Sequence, residues 1–165
     1  MKYVLLTVVV FGMIYIGFGI LKFYQKRKKF FEDLTLFCNK LCVDISFSKE
    51  NLRTIINQNI NNFGKDFKSI LENYLFFLEN NESVLSKEEL FKKNSLIRDD
   101  EKEIVLHFFK DLGRLDASNQ VLEIQNYHSR FESSKKQAEE ENKKFGALSL
   151  KLMVLLGAVI VIILI

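Results

Sequence analysis

The chain has 165 residues, enough for one domain, with 48% hydrophobic and 27% charged residues, and the apolar residues are concentrated at its two ends. Proline is absent and glycine occurs only 7 times, which argues against β-sandwiches, barrels and disordered linkers. Two cysteines exclude a disulfide framework, and a net charge of +3 does not by itself indicate nucleic-acid binding. This composition is typical of a helical membrane protein with a modest soluble domain.

Two apolar segments of 19 residues, Tyr3–Leu21 and Ala147–Ile165, are predicted to be transmembrane helices. At about 1.5 Å per residue, each nearly crosses a hydrocarbon core of about 30 Å. The first segment has no charge and runs directly into basic residues, which favours an uncleaved anchor over a signal peptide. The second contains only Lys151, near its start, where a lysine stem reaches the interface. Because Met153–Ile165 has no polar side, an amphipathic or core helix is the weaker alternative.

Glycines in the first segment have two interpretations. Gly12, Gly17 and Gly19 would let another membrane helix approach closely, although their spacing is not a strict GxxxG. They would equally fit ordinary membrane glycines, so both interpretations remain open.

Basic residues flank both apolar segments on the same side. They are Lys22, Lys26, Arg27, Lys28 and Lys29 after the first segment, and Lys143, Lys144 and Lys151 around the start of the second. The positive-inside rule therefore predicts that residues 22–146 form a cytoplasmic domain and that both termini lie outside. RNA binding by the first basic run is the weaker interpretation, because anionic lipid head groups beside a membrane span account for it more simply.

The domain at residues 22–146 is predicted to be all-α, an antiparallel bundle of about six helices flanked by the two transmembrane helices. Apolar residues at helical spacing predict that the first membrane helix continues unbroken to about Ile45; they are Phe30, Leu34, Phe37, Cys38, Leu41, Cys42 and Ile45. Ser48 is the predicted cap of a short helix over Lys49–Asn59. The sequence NINNFG is predicted to be a loop, and Lys65–Glu79 a helix.

Local capping signals define the next helices. Ser86 with Glu89 predicts a capping box for a short helix over Lys87–Lys93. Asp99 or Asp100 is predicted to cap the following helix, whose apolar face contains Ile104, Val105, Phe108, Phe109 and Leu112.

The segment Phe109–Gln120 combines a helix end, a turn and a helix start. Gly113 follows the last apolar residue and suits a C′ position with positive φ. Asp116 is the predicted cap of the last helix, which continues into the second span, and Gln120 lies one turn later on the same side. This segment is either a plain corner between helices or an elbow that faces a partner. The candidate contact residues are Gly113, Arg114, Asp116 and Gln120.

The last soluble helix contains the polar sequence SSKKQAEEENKK. We expect Glu139, Glu140 and Glu141, beside Lys143 and Lys144, to be ordinary surface charges of a helical stalk. A partner-binding surface is the alternative.

Cysteine and histidine residues are the candidates for metal chemistry. Cys38 and Cys42 lie four residues apart on one helical face, but a zinc site needs two further ligands. The histidines, His107 and His128, are distant in sequence, so buried reduced cysteines are the favoured interpretation. A membrane-anchored metal-dependent sensor that uses all four residues remains the alternative from a different functional class.

Motifs of enzymes are missing from the sequence. The acidic run Asp99–Glu101 is accounted for by a helix start, where carboxylates interact favourably with the helix dipole. The sequence contains no phosphate-binding loop, HExxH or GxSxG motif. We therefore predict no catalytic residue, no cofactor and no metal, and we expect that the protein is not an enzyme.

The combination of these features resembles the stage III sporulation protein AB family. The resemblance covers essentially the whole chain: the first span, its basic flank, the helical domain, the turn Leu112-Gly113-x-x-Asp116-x-x-x-Gln120 and the Lys151-containing last span. That family is in turn similar to the F-domain inner-membrane platform proteins of type II secretion and type IV pilus systems. The resemblance therefore implies an F-domain-like bundle. One departure is Ser46-Phe47-Ser48, where we expect the family to have a proline-containing turn.

The resemblance also implies a function, a location and partners. It implies a platform in the channel between mother cell and forespore of endospore-forming bacteria, located in the mother-cell membrane around the forespore. The implied partners are a cytoplasmic secretion-type ATPase (stage III sporulation protein AA), other membrane components of the channel and the lipid bilayer, with no nucleic acid. The alternative is a platform of a pilus or general secretion system outside sporulation, but such proteins usually have two F-domains and three spans.

Overall fold

The computed structural model describes residues 2–47, 50–80, 84–92 and 96–164, and these ranges contain helices but no β-strand. The α-helices are α1 (Lys2–Phe47), α2 (Leu52–Asn59), α3 (Lys65–Glu79), α4 (Lys87–Phe91), α5 (Asp99–Asp111), α6 (Ala117–Glu141) and α7 (Ala147–Leu164). A π-helical segment, Asn142–Gly146, joins α6 to α7 into one continuous helix. With that helix counted once, the described ranges contain six helices, which confirms the predicted all-α class.

The chain divides into two compact units. Lys29–Lys135 form one unit, which we call the bundle. Met1–Lys28 and Lys136–Ile165 form the other, which we call the terminal pair. Both predicted membrane segments, residues 3–21 and 147–165, belong to the terminal pair.

The centre of the bundle is an aromatic cluster around Phe37 of α1. The Phe37 ring is buried and lies 5.8 Å from the ring of Phe63, 5.5 Å from Phe67, 6.3 Å from Phe108 and 6.2 Å from Phe109. Three of these four contacts are edge-to-face, an arrangement that the ring quadrupoles favour. One side chain of α1 therefore connects that helix to α3 and α5.

Most residues of the two predicted apolar faces are buried. The buried ones are Phe30, Leu34, Phe37, Cys38, Leu41, Val105, Phe108, Phe109 and Leu112. Cys42, Ile45 and Ile104 are only partly buried.

A buried carboxylate fixes the start of α3 against α1. Asp33 is 1% exposed, and its Oδ2 accepts a hydrogen bond from the N–H of Gly64 at 2.9 Å. Its Oδ1 lies 2.9 Å from Nζ of Lys29, and this contact raises the pKa of Lys29. A Cβ atom at Gly64 would lie only 2.9 Å from the Asp33 carboxylate, so a glycine is required there. The sequence analysis did not identify this contact.

The start of α2 differs from the prediction. Asn51 is the N-cap, and its Oδ1 accepts a hydrogen bond from the N–H of Thr54 at 2.9 Å. The predicted start at Lys49 was therefore wrong, because Asn51 is an equally good cap closer to the apolar positions. Ser48, the predicted cap, lies outside the described residues. Part of the predicted loop is helical: Asn59 ends α2, and Ile60–Asn62 form a 3₁₀ turn.

The start of α5 also differs. Arg98 occupies the N-cap position. The prediction that Asp99 or Asp100 caps this helix was therefore wrong. The reason is that the carboxylate of Glu101 accepts a hydrogen bond from the backbone N–H of Arg98 at 2.9 Å. The helix can therefore begin one residue before the predicted cap Asp99 would allow. Both aspartates instead lie in the first turn, where the helix dipole favours negative charge.

The predicted capping box of α4 is confirmed. The Ser86 hydroxyl accepts the N–H of Glu89 at 3.2 Å, and the Glu89 carboxylate accepts the N–H of Ser86 at 3.0 Å. The helix is shorter than predicted and ends at Phe91, where Lys92 adopts a φ of 46°. Lys93, the predicted end, lies outside the described residues.

Two helices of the described chain are long and apolar enough to cross a membrane. One lies in Thr7–Phe47, where an apolar stretch of 18 residues has a mean hydropathy of 1.8, and the other lies in Ala117–Ile162, where such a stretch has a mean hydropathy of 2.4. By length and composition these helices fit a membrane protein.

Charged residues connect the two helices of the terminal pair. Arg27, which is 2% exposed, forms an ion pair with Glu141, and Nζ of Lys28 lies 3.9 Å from the carboxylate of Glu139. The expectation of an ordinary surface charge was therefore wrong for Glu141, whereas Glu139 pairs with Lys28 near the surface. A buried arginine needs such a partner, because an uncompensated charge out of water is costly.

Only one of the three glycines in the first apolar segment lies in a helix contact. A Cβ atom at Gly17 would lie 3.1 Å from Cδ1 of Leu150 and 3.2 Å from Cβ of Met153. At Gly12 and Gly19 such an atom would meet nothing within 4 Å. Gly17 therefore allows α7 to approach α1 closely, while Gly12 and Gly19 are not needed for a helix contact within the described chain.

Gly17→Leu should destabilise the terminal pair, and Gly19→Leu is its matched control. Extra methylenes forced into a packed contact cost about 1–3 kcal/mol. We expect Gly17→Leu to lower the thermal unfolding midpoint of the detergent-purified full chain by several degrees, followed by circular dichroism. Gly19→Leu should leave the midpoint nearly unchanged. Equal midpoints for the two variants would contradict this packing.

Candidate interaction site

Two residues close the turn between α5 and α6. Gly113 has a φ of +80°, in the left-handed region that favours glycine. Its N–H donates a hydrogen bond to Oε1 of Gln120 at 2.8 Å. Gln120 is 4% exposed, so this bond fixes the end of α5 to the first turn of α6.

Asp116 begins α6. Its carboxylate accepts the N–H of Asn119 at 3.4 Å, the Asn119 side-chain amide at 2.6 Å and the Ser118 hydroxyl at 2.7 Å. These donors lower the pKa of Asp116. The carbonyl of Asp116 accepts the N–H of Gln120 at 2.8 Å, the first helical bond. Asp116 therefore caps the helix, as predicted.

The four candidate contact residues thus divide into two groups. Gly113, Asp116 and Gln120 make the hydrogen bonds and the backbone geometry that build the corner. Arg114 is exposed, and its guanidinium makes no hydrogen bond or ion pair with any residue that the structure describes. Among the four, Arg114 is the one whose side chain remains available to a partner.

Beside this corner lies an exposed apolar surface, which we call the elbow face. It consists of Ile45, Phe47, Leu52, Leu115 and Leu122. Phe47 is 87% exposed, Leu115 48% and Leu122 59%. Two adjoining grooves of about 450 and 550 Å³ run along these side chains and share Ile45, Ser46 and Ala117. A contiguous apolar surface of this kind is typical of a protein interaction site.

The sequence analysis did not identify the elbow face. Phe47 was assigned only to a helix end, while Leu115 and Leu122 lie outside the apolar periodicity that defined the core. The available signal was that mismatch: large apolar residues at positions where the helical pattern predicts solvent.

The residues considered for metal binding are not brought together. Cys38 is buried and Cys42 is partly buried, whereas His107 is exposed and His128 is half-buried. Among the described residues, no group of three or more His, Cys, Asp or Glu side chains is placed to hold a metal ion. Burial raises the pKa of the Cys38 thiol, which disfavours the reactive thiolate.

Comparison with protein families gives one match. Residues 2–165 match the family model described as stage III sporulation protein AB. This result confirms the resemblance drawn from the spans and the turn motif, while the further similarity to F-domain proteins stays a prediction. Neither the curated proteins nor the solved structures gave a significant match.

Gly113→Val should destabilise the bundle by more than about 1 kcal/mol, because a β-branched residue disfavours positive φ. A Cβ at this position would lie 3.7 Å from Cδ2 of Leu52, an ordinary contact distance, so the cost comes from the backbone. Gly113→Asn is the control, since asparagine tolerates this conformation better. Denaturant unfolding of the full chain in detergent checks the difference. The backbone argument fails if Val and Asn are tolerated equally.

Proposed function

Because the chain belongs to the stage III sporulation protein AB family, we propose that it is a membrane scaffold of the channel between mother cell and forespore. The family description connects the chain with stage III of sporulation. In this proposal the terminal pair anchors the protein in the mother-cell membrane around the forespore. The bundle faces the mother-cell cytoplasm and docks a secretion-type ATPase similar to stage III sporulation protein AA. The protein contributes assembly rather than catalysis.

The observation that carries the docking proposal is the elbow face. Burying an exposed apolar side chain stabilises a complex by roughly 25 cal/mol per Å² of area removed from water. Phe47, Leu115 and Leu122 therefore offer apolar area to a protein partner at no cost in bundle packing. The adjacent corner holds Leu115 and the start of α6 in one rigid geometry through the Gly113–Gln120 bond. A preformed surface loses little entropy on binding, which suits a docking platform.

The proposed orientation rests on the basic residues that flank both apolar segments. Residues between the segments are expected on the cytoplasmic side by the positive-inside rule. Other membrane components of the channel would contact the terminal pair within the bilayer.

Cysteine labelling tests the orientation. In a chain whose Cys38 and Cys42 have been replaced by alanine, Asn57→Cys reports on an exposed position of α2. Lys2→Cys is its counterpart on the predicted outer side. In intact vegetative cells that express the protein, a membrane-impermeant maleimide should label Lys2→Cys and reach Asn57→Cys only after permeabilisation. Labelling of Asn57→Cys in intact cells would reject the orientation.

Binding measurements test the docking proposal. The full chain in nanodiscs should bind the secretion-type ATPase of the same organism saturably. Binding is measured with nucleotide and without it, and the two affinities are compared. Leu122→Arg should weaken this binding at least about tenfold, the 1.4 kcal/mol expected when a charge enters an apolar contact. Asp116→Arg, beside the elbow face, should weaken it as well.

Phe76→Arg is the matched control for Leu122→Arg. Phe76 is 62% exposed but lies on α3, outside the elbow face. Its substitution should leave binding unchanged, and both Phe76→Arg and Leu122→Arg should keep the unfolding midpoint of the parent chain. Docking through this surface would be refuted if the ATPase does not bind the nanodisc-embedded protein. It would also be refuted if Phe76→Arg weakens binding as much as Leu122→Arg does.

A further inference from the structure

A cleft between α3 and α5 forms a second surface of the bundle, separate from the elbow face. Tyr74, Phe77 and Leu78 line it from α3, and Lys110 and Arg114 line it at the end of α5 and in the following turn. The cleft has a volume of about 270 Å³ and shares no lining residue with the elbow face. It is large enough to take an apolar side chain but too small for a folded element.

Among the described residues that line the α3–α5 cleft, every charged one is positive. These residues are Lys110 and Arg114, and none of the described lining residues carries a carboxylate. Within the described part of the chain, neither side chain has a hydrogen bond or ion pair. Burial raises the pKa of Tyr74 while the positive charge of Arg114 opposes this rise, so the field of the guanidinium reaches the cleft.

The nearest carboxylates in sequence have other partners. Asp111 accepts the hydroxyl of Tyr127 at 2.6 Å, and Glu79 forms an ion pair with Arg53. The carboxylate of Asp116 accepts hydrogen bonds from the backbone and the side chain of Asn119 in the first turn of α6. The two cations are therefore not neutralised by the acids beside them in the chain.

We propose that the α3–α5 cleft binds an acidic segment of a partner protein. One apolar side chain of that segment enters the cleft between Tyr74 and Leu78. Its flanking carboxylates pair with Lys110 and Arg114. Guanidinium suits this role, since its fork of N–H donors binds a carboxylate with two parallel hydrogen bonds. The inference rests on the cleft alone and is independent of the ATPase assignment and of the elbow face.

Peptide selection tests the proposal without a known partner. A random peptide library is selected against the full chain in nanodiscs of neutral phosphatidylcholine, so that no lipid charge biases the outcome. We expect enrichment of peptides in which Asp or Glu flanks a large apolar residue. Affinity of the best such peptide should fall as salt rises, because the ion pairs lie near solvent.

Variants then locate the bound peptide. Arg114→Glu and Lys110→Glu should each lower its affinity at least about tenfold, in line with hydrogen bonds to charged groups. Lys65→Glu is the matched control, because it reverses an exposed cation at the start of α3 that does not line the cleft. It should change affinity less than about twofold. Replacement of the apolar anchor of the peptide by alanine should also weaken binding. Each variant should retain the unfolding midpoint of the parent protein.

Three outcomes would overturn the proposal. The first is a selection that enriches no peptide or only basic and uncharged ones. The second is an acidic peptide that binds Arg114→Glu as tightly as the parent chain. The third is an equal loss of affinity with Lys65→Glu, which would indicate a response to net charge instead of this cleft.

Discussion

Phe37 contacts aromatic rings from α3, from α5 and from the turn before α3, so α1 is the helix on which the rest of the bundle assembles. One turn earlier, Asp33 binds the first N–H of the Gly64–α3 junction. Together these contacts set both the depth and the rotation of α3 against α1. The α3–α5 cleft depends on that placement, because Tyr74, Phe77 and Leu78 of α3 line one side of it.

The corner between α5 and α6 separates residues that build the fold from residues that are free to bind. Gly113, Asp116 and Gln120 have their hydrogen-bonding groups engaged within the corner. That arrangement leaves Arg114 turned to one surface and Leu115 to another. A rigid turn of this kind presents a charged site and an apolar site without the entropy cost of ordering a loop. The corner therefore positions one residue of each proposed binding surface.

The terminal pair combines a close helix contact with a buried ion pair. Gly17 removes the side chain that would separate it from Leu150 and Met153. Arg27 and Glu141 satisfy each other where the helices leave their apolar segments. Charges that served in the sequence analysis only as an indication of orientation therefore also hold α1 to α6. A scaffold in a membrane benefits from both, because van der Waals packing and polar pairs drive helix association there.

The all-α class, the two apolar segments, the capping box at Ser86 and the positive φ at Gly113 were all determined by the sequence itself. Each follows from the spacing or chemistry of residues close together in the chain, and such signals can be read without knowing the fold. The start of α2 was missed because Ser48 and Asn51 are both good caps, and local chemistry does not choose between them. Only the tertiary structure decided the Asp33–Gly64 bond, the burial of Arg27 with Glu141, the exposure of Leu115 and Leu122, and the absence of partners for Lys110 and Arg114 in the described ranges. These features depend on which distant residues the packing brings together, and neither periodicity nor capping specifies such neighbours.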